Sequence, residues 1–185
     1  MLLKGKKIVL GVTGGIAVYK AVDLVSRLRK QGAEVRVVMT EHARQFVTPL
    51  TFKEISGNAV ATSMWNSNQE FNVEHIALAT ADVFVVAPAT ANIIAKMAHG
   101  LADDLLSTTL LAAQAPIIVC PAMNTGMYEN AFTQENITCL KAHGITVMDR
   151  RQAFWPAVLL VRDVCLSLLK SWNLSKLSLP EAAAI

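Results

Sequence analysis

The fold is decided by residues 7–16, which read KIVLGVTGGI. The apolar run Lys7–Leu10 is closed by Gly11, and the turn sequence Thr13-Gly14-Gly15 follows it. From Ile16 to about Lys30 the apolar residues recur with helical spacing. A strand, a glycine turn and a helix in this order are typical of the first unit of a parallel α/β sheet.

The rest of the sequence repeats this alternation. Gln31-Gly32 ends the first helix, and Ala33–Met39 reads as a second strand, which completes a right-handed βαβ unit. Further strands are predicted at Val83–Ala87, Pro116–Cys120 and Ile145–Met148, with helices near 92–98, 103–113 and 133–143. The pattern predicts an α/β single domain with a Rossmann-like (flavodoxin-like) doubly wound parallel sheet in three α/β/α layers. In such folds ligands bind at the carboxyl ends of the strands.

Composition narrows the class of protein. At 185 residues, with 53% apolar and 17% charged residues, the chain fits one domain that exposes enough apolar surface to favour oligomerisation. The net charge of +3 comes from scattered basic residues, which disfavours nucleic acid as a partner. No stretch has membrane-spanning length and no secretory signal is visible, so we expect a cytoplasmic protein with reduced cysteines.

The glycine turn is a candidate phosphate site. Backbone N–H groups at Gly14, Gly15 and Ile16 can face an anion at the start of a helix, although a glycine here can also serve only to make the turn. A dinucleotide site would place an acidic residue at the end of the second strand, whereas this strand ends in Met39-Thr40 and Glu41 begins the next segment. A mononucleotide is therefore favoured over NAD. Thr40 can bond a phosphate or ribityl chain, cap the helix that begins at Glu41, or do both.

Two further segments follow predicted strands. Pro88-Ala89-Thr90-Ala91-Asn92 and Pro121-Ala122-Met123-Asn124, with Met127 close behind, combine small residues with amides. Small side chains let a flat ring approach the backbone, and an Asn amide can orient a carboxylate without adding charge. Thr90 can equally cap a helix. We expect both segments to face a ligand.

The histidines and cysteines are less informative by themselves. His42, His99 and His143 fit helix faces or helix ends, and an isolated residue such as His75 is by default structural. Cys120 is expected within a buried strand and Cys139 in a helix core, and neither is given a catalytic role.

Six ordered motifs resemble a known family. They are Gly11-Val12-Thr13-Gly14-Gly15-Ile16-Ala17 with Tyr19-Lys20; Met39-Thr40-Glu41 with Phe46-Val47-Thr48-Pro49-Leu50; His75-Ile76 with Leu78; Ala87-Pro88-Ala89-Thr90-Ala91-Asn92; Gly100 with Asp103-Asp104-Leu105-Leu106-Ser107-Thr108; and Pro121-Ala122-Met123-Asn124 with Met127. Over residues 4 to about 149 the chain resembles the flavin-containing cysteine decarboxylases, and most closely their phosphopantothenoylcysteine decarboxylases.

The resemblance implies a site and a reaction. FMN would be contacted by Gly14, Gly15, Ile16, Thr40, Phe46, Thr90, Ala91, Asn92, Ser107 and Ala122. His75 would be the catalytic base, while Asn124, also catalytic, and Met127 would hold the substrate. In the family, 4′-phosphopantothenoylcysteine is oxidised by the flavin to a thioaldehyde, loses CO2 and is reduced again to 4′-phosphopantetheine.

The resemblance also implies partners and leaves alternatives. Homotrimers or multiples of trimers are expected, and the synthetase domain that usually follows is absent from this chain. A peptidyl-cysteine decarboxylase and a non-catalytic flavin-binding regulatory subunit are the alternative functions.

The tail, residues 150–185, departs from the family. The family flap reads approximately Leu-Ala-Cys-Gly-x-x-Gly-x-Gly-Arg-Met, yet no glycine follows Gly144. Codons for Ala153–Val158, read from the third base, permit Leu-Leu-Ala-Cys-Gly. We therefore expect 1–149 to form the flavoprotein domain and the tail to be a frame-displaced reading of the flap region, with a divergent native helix as the alternative. In the family the cysteine of this flap serves as the acid for the final reduction. Cys165 is not at its place, so this reduction is expected to be impaired.

Overall fold

The computed structural model describes residues 3–64 and 81–149, and within them six strands form one parallel sheet. The strands are β1 (Lys7–Val12), β2 (Glu34–Met39), β3 (Val60–Ala61), β4 (Val83–Ala89), β5 (Ile117–Pro121) and β6 (Thr146–Val147). Their order is β3-β2-β1-β4-β5-β6, the strand order of the Rossmann fold. The order reverses between β1 and β4, so the loops after these two strands diverge and leave a crevice.

The described residues form seven helices. They are α1 (Val18–Lys30), α2 (Glu41–Arg44), α3 (Pro49–Ser56), α4 (Ala91–Ala98), α5 (Leu105–Ala112), α6 (Thr125–Glu129) and α7 (Ala131–Ala142). Side chains alternate between the two faces of each strand, as in β1, where Ile8 and Leu10 pack with α1 while Val9 faces the other way. Helices α1 and α3 bury one face of the sheet, and α4, α5 and α7 bury the other. The predicted three-layer α/β/α fold is confirmed.

The boundaries differ from the predictions where local hydrogen bonds decide them. Helix α1 begins at Val18 rather than Ile16, because the Val18 N–H donates to the Gly15 carbonyl in a preceding turn. Strand β4 continues through Pro88 and Ala89, which were expected in the loop. Strand β3 and helices α3 and α6 were not predicted.

The cysteines are placed as follows. Cys120 is fully buried in β5, and this burial raises the pKa of its thiol to about 12. Cys139 lies on α7 but is only half-buried, which corrects the expectation of a helix-core position.

In residues 3–64 and 81–149, no helix combines the length and apolar character needed to cross a membrane.

Candidate functional site

The segments that follow β1, β2, β4 and β5 meet at one edge of the sheet, because parallel strands all end there. Hydrogen bonds join these segments. The Thr40 N–H donates to the Val12 carbonyl at 3.0 Å, and the Ala122 N–H donates to the Ala89 carbonyl at 2.9 Å. The edge is therefore a connected framework rather than a set of independent loops.

The first and fourth strand ends are joined by a side chain. Thr13 is 2% exposed, and its hydroxyl donates to the Pro88 carbonyl at 2.6 Å. The same oxygen accepts the Thr90 N–H at 3.2 Å. This pair of bonds spans the crevice between β1 and β4.

A cavity of about 610 Å³ opens at this edge. Its walls come from the turn after β1, the start of α4, the segment after β5 and helix α6; the lining residues are Gly14, Gly15, Ile16, Ala17, Lys20, Thr90, Ala91, Pro121, Ala122, Met123, Asn124 and Met127. Among these described residues the single charged side chain is Lys20. The volume lies within the range of sites for cofactor-sized ligands.

The turn after β1 presents backbone donors to this cavity. The N–H groups of Gly14, Gly15 and Ile16 make no hydrogen bond with any described residue, and they lie just before the positive end of the α1 dipole. A Cβ built on Gly15 would meet only the Thr90 methyl carbon, at 3.7 Å. A phosphate can therefore come close to the backbone of this turn.

A second cavity of about 540 Å³ adjoins the first on the side of α2 and α5. Both cavities are lined by Gly14, Thr90, Ala91 and Met127; the second is also lined by Thr13, Thr40, Glu41, His42, Asn92, Ile93, Lys96, Asp103 and Asp104. The second cavity is therefore the more polar of the two and carries charges of both signs.

A cluster of ion pairs, in which Lys96 is mostly buried and Asp103 is exposed, forms the far wall of the second cavity. The Lys96 ammonium lies 2.6 Å from Asp103 and 2.9 Å from Asp104. Burial lowers the pKa of Lys96, but the hydrogen bonds and charges of the two aspartates outweigh it, so its pKa is raised. Burial likewise raises the pKa of Asp104, but Lys96 and Ser107 outweigh it, so its pKa is lowered.

Asp104 is also the N-cap residue of helix α5. Its carboxylate accepts the Ser107 N–H at 2.8 Å, and the Ser107 hydroxyl accepts the Asp104 N–H at 3.0 Å, which forms a capping box. Ser107 is 2% exposed and lines neither cavity. In the described structure its side chain therefore caps a helix that borders the site.

Asn124 and Met127 lie together on the opposite wall. The Asn124 Oδ1 caps α6 by accepting the Gly126 N–H at 2.8 Å, a bond that does not use the two Nδ2 donors. Met127 is 51% exposed and lines both cavities. A shallow groove of about 510 Å³ continues from these two residues along Asn130 and Thr133. An amide donor and an exposed thioether therefore face the same opening.

Most of the predicted site residues meet at this edge. Eight line the first cavity, namely Gly14, Gly15, Ile16, Thr90, Ala91, Ala122, Asn124 and Met127, and Thr40 and Asn92 line the second. Thr40 and Thr90 also cap α2 and α4, so the capping role expected for each coexists with its place at the site. Phe46 is 50% exposed and lines neither cavity, and His75 lies outside the described residues.

Several residues of the site carry no recognisable signal in the sequence. Lys96 and Asp103 were not singled out as site residues, and His42 was assigned to a helix face. The spacing of Lys96 and Asp104, eight residues apart across a helix break, could not show that they pair. Within the part of the chain that the structure describes, no group of three or more His, Cys, Asp or Glu side chains could hold a metal ion.

Known proteins are similar to this chain in sequence and fold. A family model described as Flavoprotein matches residues 2–174. The coenzyme A biosynthesis bifunctional protein CoaBC of Haemophilus influenzae is 50% identical over 155 residues, which are 83% of this chain and 39% of that protein. The chain thus spans well under half the length of this curated relative.

Solved structures give the same picture. The FMN-dependent cysteine decarboxylase SpaF is 35% identical with a TM-score of 0.74, covering 80% of this chain and 85% of that one. A PPC decarboxylase mutant complexed with pantothenoylaminoethenethiol is 32% identical with a TM-score of 0.66, covering 77% of this chain and 81% of that one. This chain is therefore similar to both in fold.

Proposed function

We infer the function from the premise that this chain belongs to the Flavoprotein family. We propose that it binds FMN in the two joined cavities and decarboxylates 4′-phosphopantothenoylcysteine on the route to 4′-phosphopantetheine, a step of coenzyme A biosynthesis, with the final reduction impaired by the atypical tail. The observation that carries the proposal is that one cleft combines the unpaired N–H groups of Gly14–Ile16 with the Asn124 amide. The relatives named above support the choice of cofactor and substrate.

The residues present fit FMN. The unpaired N–H groups before α1, with Lys20 beside them, suit a phosphate. Ala91 and Ala122 keep the middle of the cleft open for a flat ring, and Thr40 and Asn92 offer polar groups to a ribityl chain or ring edge. Phe46 and Ser107 line neither cavity, so their contacts with FMN stay predictions. Each contact would require the bound FMN to extend beyond the two cavities.

FMN, when bound, would supply a reversible two-electron oxidation. The chain's own residues would then orient the substrate. The Asn124 Nδ2 donors would hold the substrate carboxylate without adding a charge that opposes its departure as neutral CO2. Met127 would pack against the substrate arm, and His75 would be the catalytic base.

We further propose a homotrimer or a multiple of trimers, located in the cytoplasm. Exposed apolar side chains at the cleft and beyond it support assembly, namely Ile16 at 79%, Tyr19 at 61% and Phe132 at 76% exposure. The free thiols of Cys120 and Cys139 are in keeping with a reducing compartment.

The test is turnover by FMN-loaded protein. We expect CO2 release from 4′-phosphopantothenoylcysteine in preference to a peptide that ends in cysteine. His75→Asn and Asn124→Ala should each lower the rate about 100-fold or more while FMN stays bound. His99→Asn, a change at an exposed residue that caps the end of α4, is the matched control and should keep its activity. Loss of activity in the control alone, or full activity in both site variants, would contradict the proposed roles.

A further inference from the structure

We propose that Thr13 is a positioning residue, whose hydroxyl holds the turn after β1 against the start of α4 in the geometry that FMN requires. The proposal rests on the proposed function, because it concerns the same cleft. It does not require Thr13 to touch FMN.

The hydroxyl lies where the sheet stops joining the two strands. The described backbone pairing of β1 with β4 runs from Ile8 with Val83 to Gly11 with Val86. No further pair joins the two strands beyond these residues, although β1 continues to Val12 and β4 to Ala89. In place of backbone hydrogen bonds between the strands, the Thr13 hydroxyl joins the two segments by its bonds to the Pro88 carbonyl and the Thr90 N–H.

The chemistry of the two bonds requires a hydroxyl. One atom must donate to a carbonyl and accept from an N–H, and a hydroxyl does both. Valine has the shape of threonine but can do neither, whereas serine keeps the hydroxyl and loses only the methyl group. Without the hydroxyl a buried carbonyl is left without this partner, and the two turns are free to separate.

The segments that Thr13 joins line both cavities. Gly14 and Thr90 contribute to each, and a Cβ on Gly15 would be in van der Waals contact with the Thr90 methyl carbon. A small separation of the turns therefore changes the spacing between the donors of the glycine turn and the floor of the cleft. Thr13 itself is 2% exposed, so it acts through these neighbours.

The experiment compares Thr13→Val, Thr13→Ser and the control Thr109→Val. Thr109 is also a fully buried threonine, and its hydroxyl donates to the Leu105 carbonyl at 2.6 Å within α5, in neither cavity. For each full-length variant the FMN dissociation constant is measured by fluorescence, the visible circular dichroism of bound FMN is recorded, and urea unfolding is followed without FMN.

We expect Thr13→Val to weaken FMN binding about tenfold or more and to change the visible dichroism. Thr13→Ser should keep both signals, and Thr109→Val should lower stability but keep both. The proposal is overturned if Thr13→Val binds FMN as tightly as the unaltered protein does. It is also overturned if the loss of FMN affinity follows the loss of stability in all three variants. Should Thr13→Val fail to fold, loss of affinity in a folded Thr13→Ser would overturn it as well. Failure of the unaltered protein to bind FMN would instead overturn the proposed function.

Discussion

Gly14 of the turn after β1 lies so close to His42 of α2 that a Cβ on Gly14 would sit 2.5 Å from the His42 Cβ and 2.8 Å from its backbone carbonyl carbon. The turn after β1 and helix α2 can therefore pack this closely only because residue 14 has no side chain. We predict that Gly14→Ala displaces α2 and lowers the free energy of unfolding by about 1–3 kcal/mol. Urea unfolding of the FMN-free protein measures this.

The neighbouring glycine is the matched control. A Cβ on Gly15 would meet the Thr90 methyl carbon at an ordinary 3.7 Å, so Gly15→Ala should change the free energy of unfolding by less than about 0.5 kcal/mol. Equal destabilisation by the two substitutions would show that the close approach to His42 does not govern this turn.

Lys20 provides the second prediction. It is the charged residue among the described lining of the first cavity, close to the glycine turn. Lys20→Met should weaken FMN binding about fivefold, the scale of one partly exposed ion pair, and leave riboflavin binding unchanged because riboflavin has no phosphate. Lys30→Met, in the last turn of α1, is the control for the loss of one positive charge. An equal loss of affinity for both flavins would place Lys20 away from the phosphate.

The third prediction concerns pH. Lys96 and Ser107 hold the pKa of Asp104 below its ordinary value of 3.8 in the folded protein. A group with a lowered pKa stabilises the fold above its unfolded pKa and loses this contribution as the pH falls through the folded pKa. Asp104→Asn keeps a capping side chain but removes the charge, so it should cost about 0.5–1 kcal/mol at pH 7.

The difference between Asp104→Asn and the unaltered protein should shrink once the pH drops below about 3.8. Urea unfolding at pH 7, 5 and 3 measures it. Asp23→Asn removes a carboxylate from an exposed pair with Arg27 and is the matched control. A difference that grows toward low pH would contradict the assigned direction of the Asp104 pKa.

Strong local patterns made most of the fold predictable. The alternation of buried apolar runs with helical segments located β1, β2, β4, β5 and β6 to within a few residues. Strand β3 has only two residues, Val60 and Ala61, and joins the sheet by pairing with Val37 and Val38, a long-range contact that no local pattern reveals. Helix α3 was missed although it has ordinary signals, Pro49 in its first turn and Gly57 in a left-handed conformation at its end.

The site was predictable where it follows strand ends and not where it depends on pairing. Thr90 and Asn124 could be placed because each lies within three residues of the end of a strand, and parallel strands end at one edge. The Lys96 cluster and the Thr13 bonds depend on which loops meet in three dimensions. Phe46 and Ser107 came from the family resemblance, and their roles stay predictions.

The tail yields a prediction about the gene. We propose that residues from about Arg150 onward, which lie outside the described part, are a frame-displaced reading of the usual flap region. The family match reaches residue 174 and so includes part of this tail. Because the protein sequence alone does not separate a displaced reading frame from a divergent native tail, sequencing the coding DNA is the decisive measurement. A single insertion or deletion relative to related genes is expected near the codon for Arg150. An uninterrupted alignment of the reading frames would refute the idea, and full conversion of the substrate to 4′-phosphopantetheine would show that the final reduction does not need the family flap.

The most direct test of the proposed site is the binding of FMN itself. Purified protein is stripped of any flavin, shown by far-ultraviolet circular dichroism to be folded, and titrated separately with FMN and with NAD. Stoichiometric uptake of FMN to give a yellow protein, with no comparable binding of NAD, is the predicted result. A folded protein that takes up no FMN at any concentration would contradict the central claim.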